Sequence, residues 1–362
     1  MAELITLADI RAAQARIAPA AVRTPLIPID PERLRAAGIT PPAAAIYLKD
    51  ESAQPIGSFK LRGAYNKIAQ LSPEQLQRGV ITYSSGNHAQ GVAYAARALG
   101  AKVVVVMPAS APLNKREATA ALGAEIVLVG NASKDRKLKA EELAAAHGYT
   151  MVPPYDDPAI IAGQATCGIE ILEQIGEQAQ LPEGDLLVLS PVSGGGLLSG
   201  VSTGIKLSLA EDRVPHLRDG SIVAKVGSQD VKVYGCEPAL AADAKQSFET
   251  KTLTEWSAAD TTRTLCDGLR TQSLGALNFE HILRFTDGIV TVTEAEIRRA
   301  TRLILDATNI VAEPSGAITL AAALFHADEL PPAKKIVAIV SGGNIDPTLR
   351  AELESEPLAT TV

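Results

Sequence analysis

Leu186-Leu187-Val188-Leu189-Ser190-Pro191-Val192-Ser193-Gly194-Gly195-Gly196-Leu197-Leu198-Ser199-Gly200 runs from an apolar strand pattern into a glycine loop and on into the start of a helix. Such a joint offers free backbone N–H groups under the positive end of a helix dipole, an arrangement suited to a phosphate. No charged residue lies between Asp185 and Lys206, so an anion held here is held by the backbone. Gly200 is followed by Val201, where a nucleotide-hydrolysing loop places a lysine and a hydroxyl residue. A bound, untransferred phosphate therefore fits better than ATP hydrolysis. Nor is this a dinucleotide fingerprint: Ser199 stands where the third glycine would fall, and the next strand-end acid, Glu237, is too far along. The same stretch also fits a crowded corner of helix–strand packing.

Outward from this joint, short apolar runs alternate with Ala/Leu-rich stretches. Strands are read at Val80–Tyr83, Val103–Met107, Glu125–Val129, Ile289–Val292 and Lys335–Val340, and helices at His88–Leu99, Leu113–Leu122, Ser133–His147, Ala159–Ile175, Glu294–Ala307 and Ser315–Phe325. Near-continuous apolar strands separated by helices predict parallel strands covered on both faces, an α/β fold. Turn signals over Met151–Pro158 mark a crossing between two units. Residues 79–154 are read as a small α/β domain, and residues 1–78 with 155–362 as a large one. Val214–Asp230, polar and glycine-containing, reads as a surface excursion.

Composition narrows the function classes. The chain of 362 residues carries a net charge of −7 without a Lys/Arg-rich run, which argues against nucleic acid, because counterion release needs clustered positive charge. No apolar stretch approaches the roughly 18 residues that span a bilayer, and Met1–Ala18 reads as an amphipathic helix without a signal-peptide core. A cytoplasmic protein without a membrane partner is expected. Cys167, Cys236 and Cys266 are odd in number and far apart, so buried small hydrophobes are expected in place of a disulfide framework or zinc cluster.

In Pro55-Ile56-Gly57-Ser58-Phe59-Lys60-Leu61-Arg62-Gly63-Ala64-Tyr65, Ser58 reads as an N-cap and Lys60 falls in the first helical turn. A cation there opposes the helix dipole at up to about 1 kcal/mol, and its apolar neighbours add desolvation. Both lower the amine's pKa, as Schiff-base chemistry requires. Taken alone, the residue fits a snorkelling surface lysine better. Tyr83-Ser84-Ser85-Gly86-Asn87-His88-Ala89-Gln90-Gly91 is a second strand-to-helix loop, able to accept a carboxylate or simply to cap a helix. His88, on an apolar helix face, fits a structural histidine. Val340-Ser341-Gly342-Gly343-Asn344 ends the last strand in a turn.

Together, GSFKLRGA around Lys60, SSGNHAQG around Asn87, SGGGL at Ser193–Leu197, EPSGA at Glu313–Ala317 and SGGN at Ser341–Asn344 resemble the pyridoxal-phosphate enzymes of fold type II. The likeness is to the serine/threonine dehydratases, including serine racemase and threo-3-hydroxyaspartate dehydratase. It covers nearly the whole chain, in order. The resemblance implies a tryptophan synthase β-like arrangement of two open parallel-sheet α/β domains, the small one on the substrate side, and a homodimer. It makes Lys60 the Schiff-base lysine and Phe59 its ring neighbour. Asn87 would bond the ring hydroxyl, Ser193, Gly194, Gly195, Gly196 and Leu197 would cradle the phosphate, and Ser341 would face the pyridine nitrogen, with Glu313 near the ring edge. Ser84, Ser85, Asn87 and His88 would bind substrate, with Ser85 the acid/base opposite Lys60 in a racemase.

The resemblance further makes Glu237, the Ala241 carbonyl and Asp243 a divalent-cation site, suited to Mg²⁺ and open to Ca²⁺ or Mn²⁺; the two acids also fit a helix N-terminus after Pro238. Three departures stand out. Ser193 precedes three glycines where four are common. Gly163-Gln164-Ala165-Thr166 replaces GQGT, and the Val214–Asp230 connection is long. A hydroxyl opposite the pyridine nitrogen cannot hold it protonated, which weakens the electron sink and favours loss of a β-hydroxyl. The implied activity is a PLP-dependent dehydratase (ammonia-lyase) on L-serine, L-threonine or another small hydroxyamino acid, giving a 2-oxo acid and ammonia. Serine racemase or threo-3-hydroxyaspartate dehydratase is the alternative within the class, and a non-catalytic PLP-binding protein the alternative outside it.

Overall fold

A computed structural model describes residues 3–84, 86–111, 113–130, 133–179, 185–212, 216–218, 221–223 and 231–356. The strands are β1 (Leu26–Pro28), β2 (Ala45–Asp50), β3 (Val80–Tyr83), β4 (Val103–Pro108), β5 (Glu125–Val129), β6 (Thr150–Met151), β7 (Leu186–Pro191), β8 (His216–Arg218), β9 (Ser221–Val223), β10 (Val231–Pro238), β11 (Gly288–Val292) and β12 (Lys335–Val340). They form a six-stranded sheet in the order β1-β2-β12-β7-β10-β11, a four-stranded sheet in the order β5-β4-β3-β6, and the pair β8–β9. Apart from β1 on β2, every pairing in the two larger sheets is parallel. Apart from β8 and β9, the Val214–Asp230 excursion lies outside the described residues.

The apolar runs bury both faces of the large sheet, and strand period two sorts them. Leu187, Leu189, Ile336, Ala338 and Val340 pack on one side with Ala317, Ile318 and Leu320 of the helix Pro314–Phe325. Leu186, Val188, Val337 and Ile339 pack on the other with Leu198, Val201 and Ile205 of the helix Gly196–Asp212 and with Cys167, Ile171 and Ile175 of the helix Pro158–Ala179. All three cysteines are buried and free. A Cβ on Gly200 would stand 2.7 Å from the Ala165 nitrogen. That glycine serves helix–helix contact, whereas Gly194–Gly196 form the loop.

The sequence reading placed no strand at β2 or β10. β2 ends in Lys49-Asp50 although Lys49 is wholly buried; compensation by the distant Glu170 carboxylate, with Gln174 and the Thr24 carbonyl, overrides local polarity there. Because β2, β12, β7 and β10 run parallel, the loops that follow them open at one edge of the sheet, where open α/β sheets place ligands.

Candidate active site

At this edge the helix Lys60–Ile68 begins. Its N-cap is Phe59, without a side-chain cap bond, and this corrects the reading of Ser58 as the cap. Ser58 is fully buried, its backbone bridges to Gly342, and its hydroxyl has no partner. Backbone bonds take over the positioning: Phe59 N–H donates to Ser341 O at 3.1 Å and Gly343 N–H to Gly57 O at 2.9 Å, with Gly57 at φ 72°. The first-turn placement of Lys60 holds. Its Nζ donates to Pro154 O at 2.7 Å and stands 5.2 Å from the Phe59 ring centroid. Burial pushes the amine down to about 8.

The second loop meets this first one. Asn87 opens the helix Asn87–Ala98 and donates from Nδ2 to Glu313 Oε1 at 2.7 Å. Its Oδ1 accepts from Asn344 Nδ2 at 2.8 Å, and the same Nδ2 of Asn344 donates to Ile56 O at 2.9 Å. Both ends of the Asn87 amide are thereby fixed. Burial, then the Asp267 charge, pushes the Glu313 carboxyl up to about 7. Ser84 Oγ accepts from Gly86 N–H at 3.3 Å, while Ser85 lies outside the described residues. His88 is 2% exposed and bonded through Nε2 to Val152 O at 3.0 Å. Burial, then the Lys60 charge, pushes it down to about 3, which keeps the ring neutral. This is the structural histidine its apolar helix face suggested, with only the buried, unpartnered Nδ1 left for any substrate contact. Ser341 is 5% exposed and donates to Ser315 O at 3.3 Å.

The glycine loop after β7 is held by partners that spacing could not reveal. Ser193 Oγ meets Thr271 Oγ1 at 2.6 Å, and Gly194 O accepts from Gly275 N–H at 3.0 Å and Asn278 Nδ2 at 2.8 Å. Gly195 sits at φ 95°, and Gly196 with Leu197 starts the next helix, whose first N–H groups have no intrahelical acceptor. A Cβ on Gly194 would stand 2.5 Å from the Tyr155 ring. The loop therefore offers a backbone cradle that fits a phosphate group.

Tyr155 belongs to the strap between the two sheets, in which four consecutive residues each do a different job. Pro154 receives the Lys60 amine, and Tyr155 packs on the glycine loop. Asp156 accepts from the N–H groups of Ala276, Leu277 and Asn278, capping the helix Ala276–Phe285. Asp157 accepts from Ala159 and Ile160 N–H and pairs with Lys67 at 2.6 Å. Two acids before an apolar helical run were a capping signal within reach of sequence reading; the tertiary cap on the second helix was not.

Below the Lys60 helix lies a charge cluster. Arg62, Glu51 and Lys49 are fully buried and Glu170 nearly so. Arg62 contacts Glu51 and Glu170 at 2.7–2.8 Å, and Lys49 contacts Glu170 at 2.7 Å. Although burial pushes Glu51 upward, the Arg62 charge and its bonds hold it down at about 2.

Of the acid pair, Glu237 near the end of β10 and Asp243 at the start of the next α-helix, the structure bears out the helix-start reading. Glu237 caps the helix Asp243–Thr250 through Ala244 N–H at 2.9 Å and Lys245 N–H at 2.8 Å. Asp243 is fully buried, and neither of its carboxylate oxygens has a partner. Burial, then Asp243, pushes Glu237 up. Unpartnered buried carboxylate oxygens are strongly disfavoured, and a cation beside the Ala241 carbonyl would relieve them. Among the described residues no cluster of three or more His, Cys, Asp or Glu forms, so backbone oxygen and water would complete the shell.

A buried lysine amine, an amide clamp and a glycine loop with free backbone N–H groups meet at one edge of a parallel α/β sheet, an arrangement that fits a phosphate-bearing cofactor. The chain belongs to the family described as pyridoxal-phosphate dependent enzyme, whose family model matches residues 17–342. It is 37% identical over 303 residues to the L-threo-3-hydroxyaspartate ammonia-lyase of Saccharomyces cerevisiae, covering 84% of each chain. Among solved structures it resembles the T.th. threonine deaminase (40% identity, TM-score 0.80, 94% of this chain and 99% of that one). It also resembles maize serine racemase (32% identity, TM-score 0.81, 97% of each chain).

Proposed function

We propose that the protein removes water from a small 3-hydroxyamino acid, releasing ammonia and a 2-oxo acid. The carrying observation is the Lys60 amine, brought down to about 8 by burial at the sheet edge where the Asn87 clamp, the Ser341 hydroxyl and the Gly194–Gly196 cradle converge. The names of the relatives support the substrate class. In this reading Lys60, Asn87, Ser341, Glu313 and the loop Ser193–Leu197 hold pyridoxal phosphate, which supplies an electron sink when bound. Lys60 takes the α-proton as a neutral amine. Facing the ring nitrogen, the uncharged Ser341 hydroxyl would leave the group a weak electron sink, which favours departure of the substrate's β-hydroxyl. Residues 79–154 bring the Ser84–Asn87 loop to the substrate carboxylate.

A panel of L- and D-serine, L-threonine and the 3-hydroxyaspartate isomers, assayed for 2-oxo acid and for the inverted amino acid, tests the reading. At least one isomer is expected to give 2-oxo acid and ammonia in equal amounts. A yellow, cofactor-loaded protein that turns over none of them overturns it, and inversion without 2-oxo acid turns it into a racemase.

The reading includes a divalent cation on Glu237, the Ala241 carbonyl and Asp243. Mg²⁺, Ca²⁺ or Mn²⁺ at about 100 times its Kd is expected to stabilise the fold by about 2.7 kcal/mol. Chelator reverses the gain and Asp243→Asn abolishes it, as read by thermal unfolding. Indifference of the unfolding curve to all three cations removes the site.

A further inference from the structure

The chemistry proposed above leaves one buried charge at the site unused. Lys115, from the helix Leu113–Ala121 that follows β4, is ion-paired with Asp267 of the short turn Asp267–Leu269 on the large-sheet side. Lys115 is 8% exposed, and a buried ammonium deprived of its counter-ion is strongly disfavoured. The pair therefore fixes one sheet unit against the other.

Two further features direct this pair at the reaction. Lys115 Nζ lies 3.7 Å from where a Cβ on Gly86 would stand, and Gly86 is the N-cap of the Asn87 helix. On the opposite side, Gly268 N–H donates to Ser315 Oγ at 3.0 Å, and Ser315 O accepts from Ser341 Oγ at 3.3 Å. Polar contacts thus run from Lys115 through Asp267, the adjoining Gly268 and Ser315 to Ser341, with the Lys115 ammonium facing the side of Gly86 that carries no Cβ. Glu313 and Arg270 are the other charged groups that face the ammonium.

We propose that Lys115 and Asp267 form a positioning pair that sets the first turn of the Asn87 helix against Ser341 and the cofactor side of the cleft. Its catalytic consequence rests on the proposed function; its geometry does not. Lys115→Met, Asp267→Asn, their double variant and the exchanged pair Lys115→Asp/Asp267→Lys are compared as cofactor-loaded proteins. Steady-state kinetics and amide hydrogen exchange of the peptide Gly86–Gly91 are the readouts. Each single change is expected to raise KM about tenfold with kcat within about threefold, the double variant to be no worse than either, and exchange of the peptide to quicken about tenfold. The exchanged pair recovers part of each loss, which a simple packing role would not allow.

Additive single effects overturn the proposal. So does an Asp267→Asn protein that matches the parent, a result that would assign Lys115 to the substrate directly. If the parent turns over no amino acid, the proposed function falls, and the exchange measurement alone decides the pair.

Discussion

Lys60→Ala is expected to abolish the yellow Schiff-base absorbance of the cofactor-loaded protein and to lower turnover of any hydroxyamino acid by at least about 10³-fold, because in the proposed function one side chain supplies both the anchor and the base. The expectation follows from where the amine sits. It occupies the first turn of a helix, donates to Pro154 O, and is shifted from 10.5 to about 8 by burial. Near neutral pH a useful fraction is therefore uncharged and nucleophilic, as an exposed lysine would not be. Borohydride treatment of the parent should fix one cofactor mass on the peptide containing Lys60. Retained absorbance in Lys60→Ala, or the mass on another peptide, would show the anchor to be misassigned.

Arg62→Met is expected to lower global stability by about 3–5 kcal/mol, the usual cost of breaking a buried ion pair by removing one partner. Two carboxylates, Glu51 and Glu170, lose their shared fork: Glu170 keeps Lys49, whereas Glu51 keeps the uncharged donors Thr24 Oγ1 and Gln54 Nε2. Arg62→Lys recovers little, since an ammonium cannot make both bidentate contacts. Acid reports the same cluster. Glu51 is held at about 2 against an ordinary 4.5, so its contribution is complete above pH 4.5 and is lost as the pH falls through about 2. Denaturant titration of the cofactor-loaded variants measures the effect, and a loss below about 1 kcal/mol would mean that water or a rearranged Lys49 replaces the guanidinium.

These two residues also show what sequence makes legible. Lys60 stands out because its position in the first turn contradicts a local rule, and local rules are readable along a chain. Arg62, two residues on, looks like an ordinary helix-former; its meaning comes from Glu51 and Glu170, separated from it by 11 and 108 residues. The glycine loops were legible for the same reason as Lys60, and the parallel α/β plan followed from apolar runs that left no polar face. β2 was not legible, because Lys49 obeys no strand pattern until Glu170, 121 residues away, neutralises it, while Asp50 is taken up locally by Ser52. Ser58 misled because its N-cap chemistry is real in isolation, whereas here Ser341 O takes the Phe59 N–H and the hydroxyl is buried instead. Asn278, Thr271 and Tyr155 escaped notice entirely, since nothing near them in the chain hints at the glycine loop they hold.

The strap Pro154–Asp157 constrains how this architecture can be taken apart. Its four residues address the amine, the cradle and two separate helix starts in strict succession, so inserting or deleting one residue would misplace all four targets at once. A chimaera that borrows the four-stranded unit from a relative takes Val152, which bonds Ile81 and His88, with that unit and must leave Pro154–Asp157 with the six-stranded unit. The natural seam of the molecule thus lies just past the last strand of its smaller half, between Val152 and Pro154, so that the whole strap travels with the larger half.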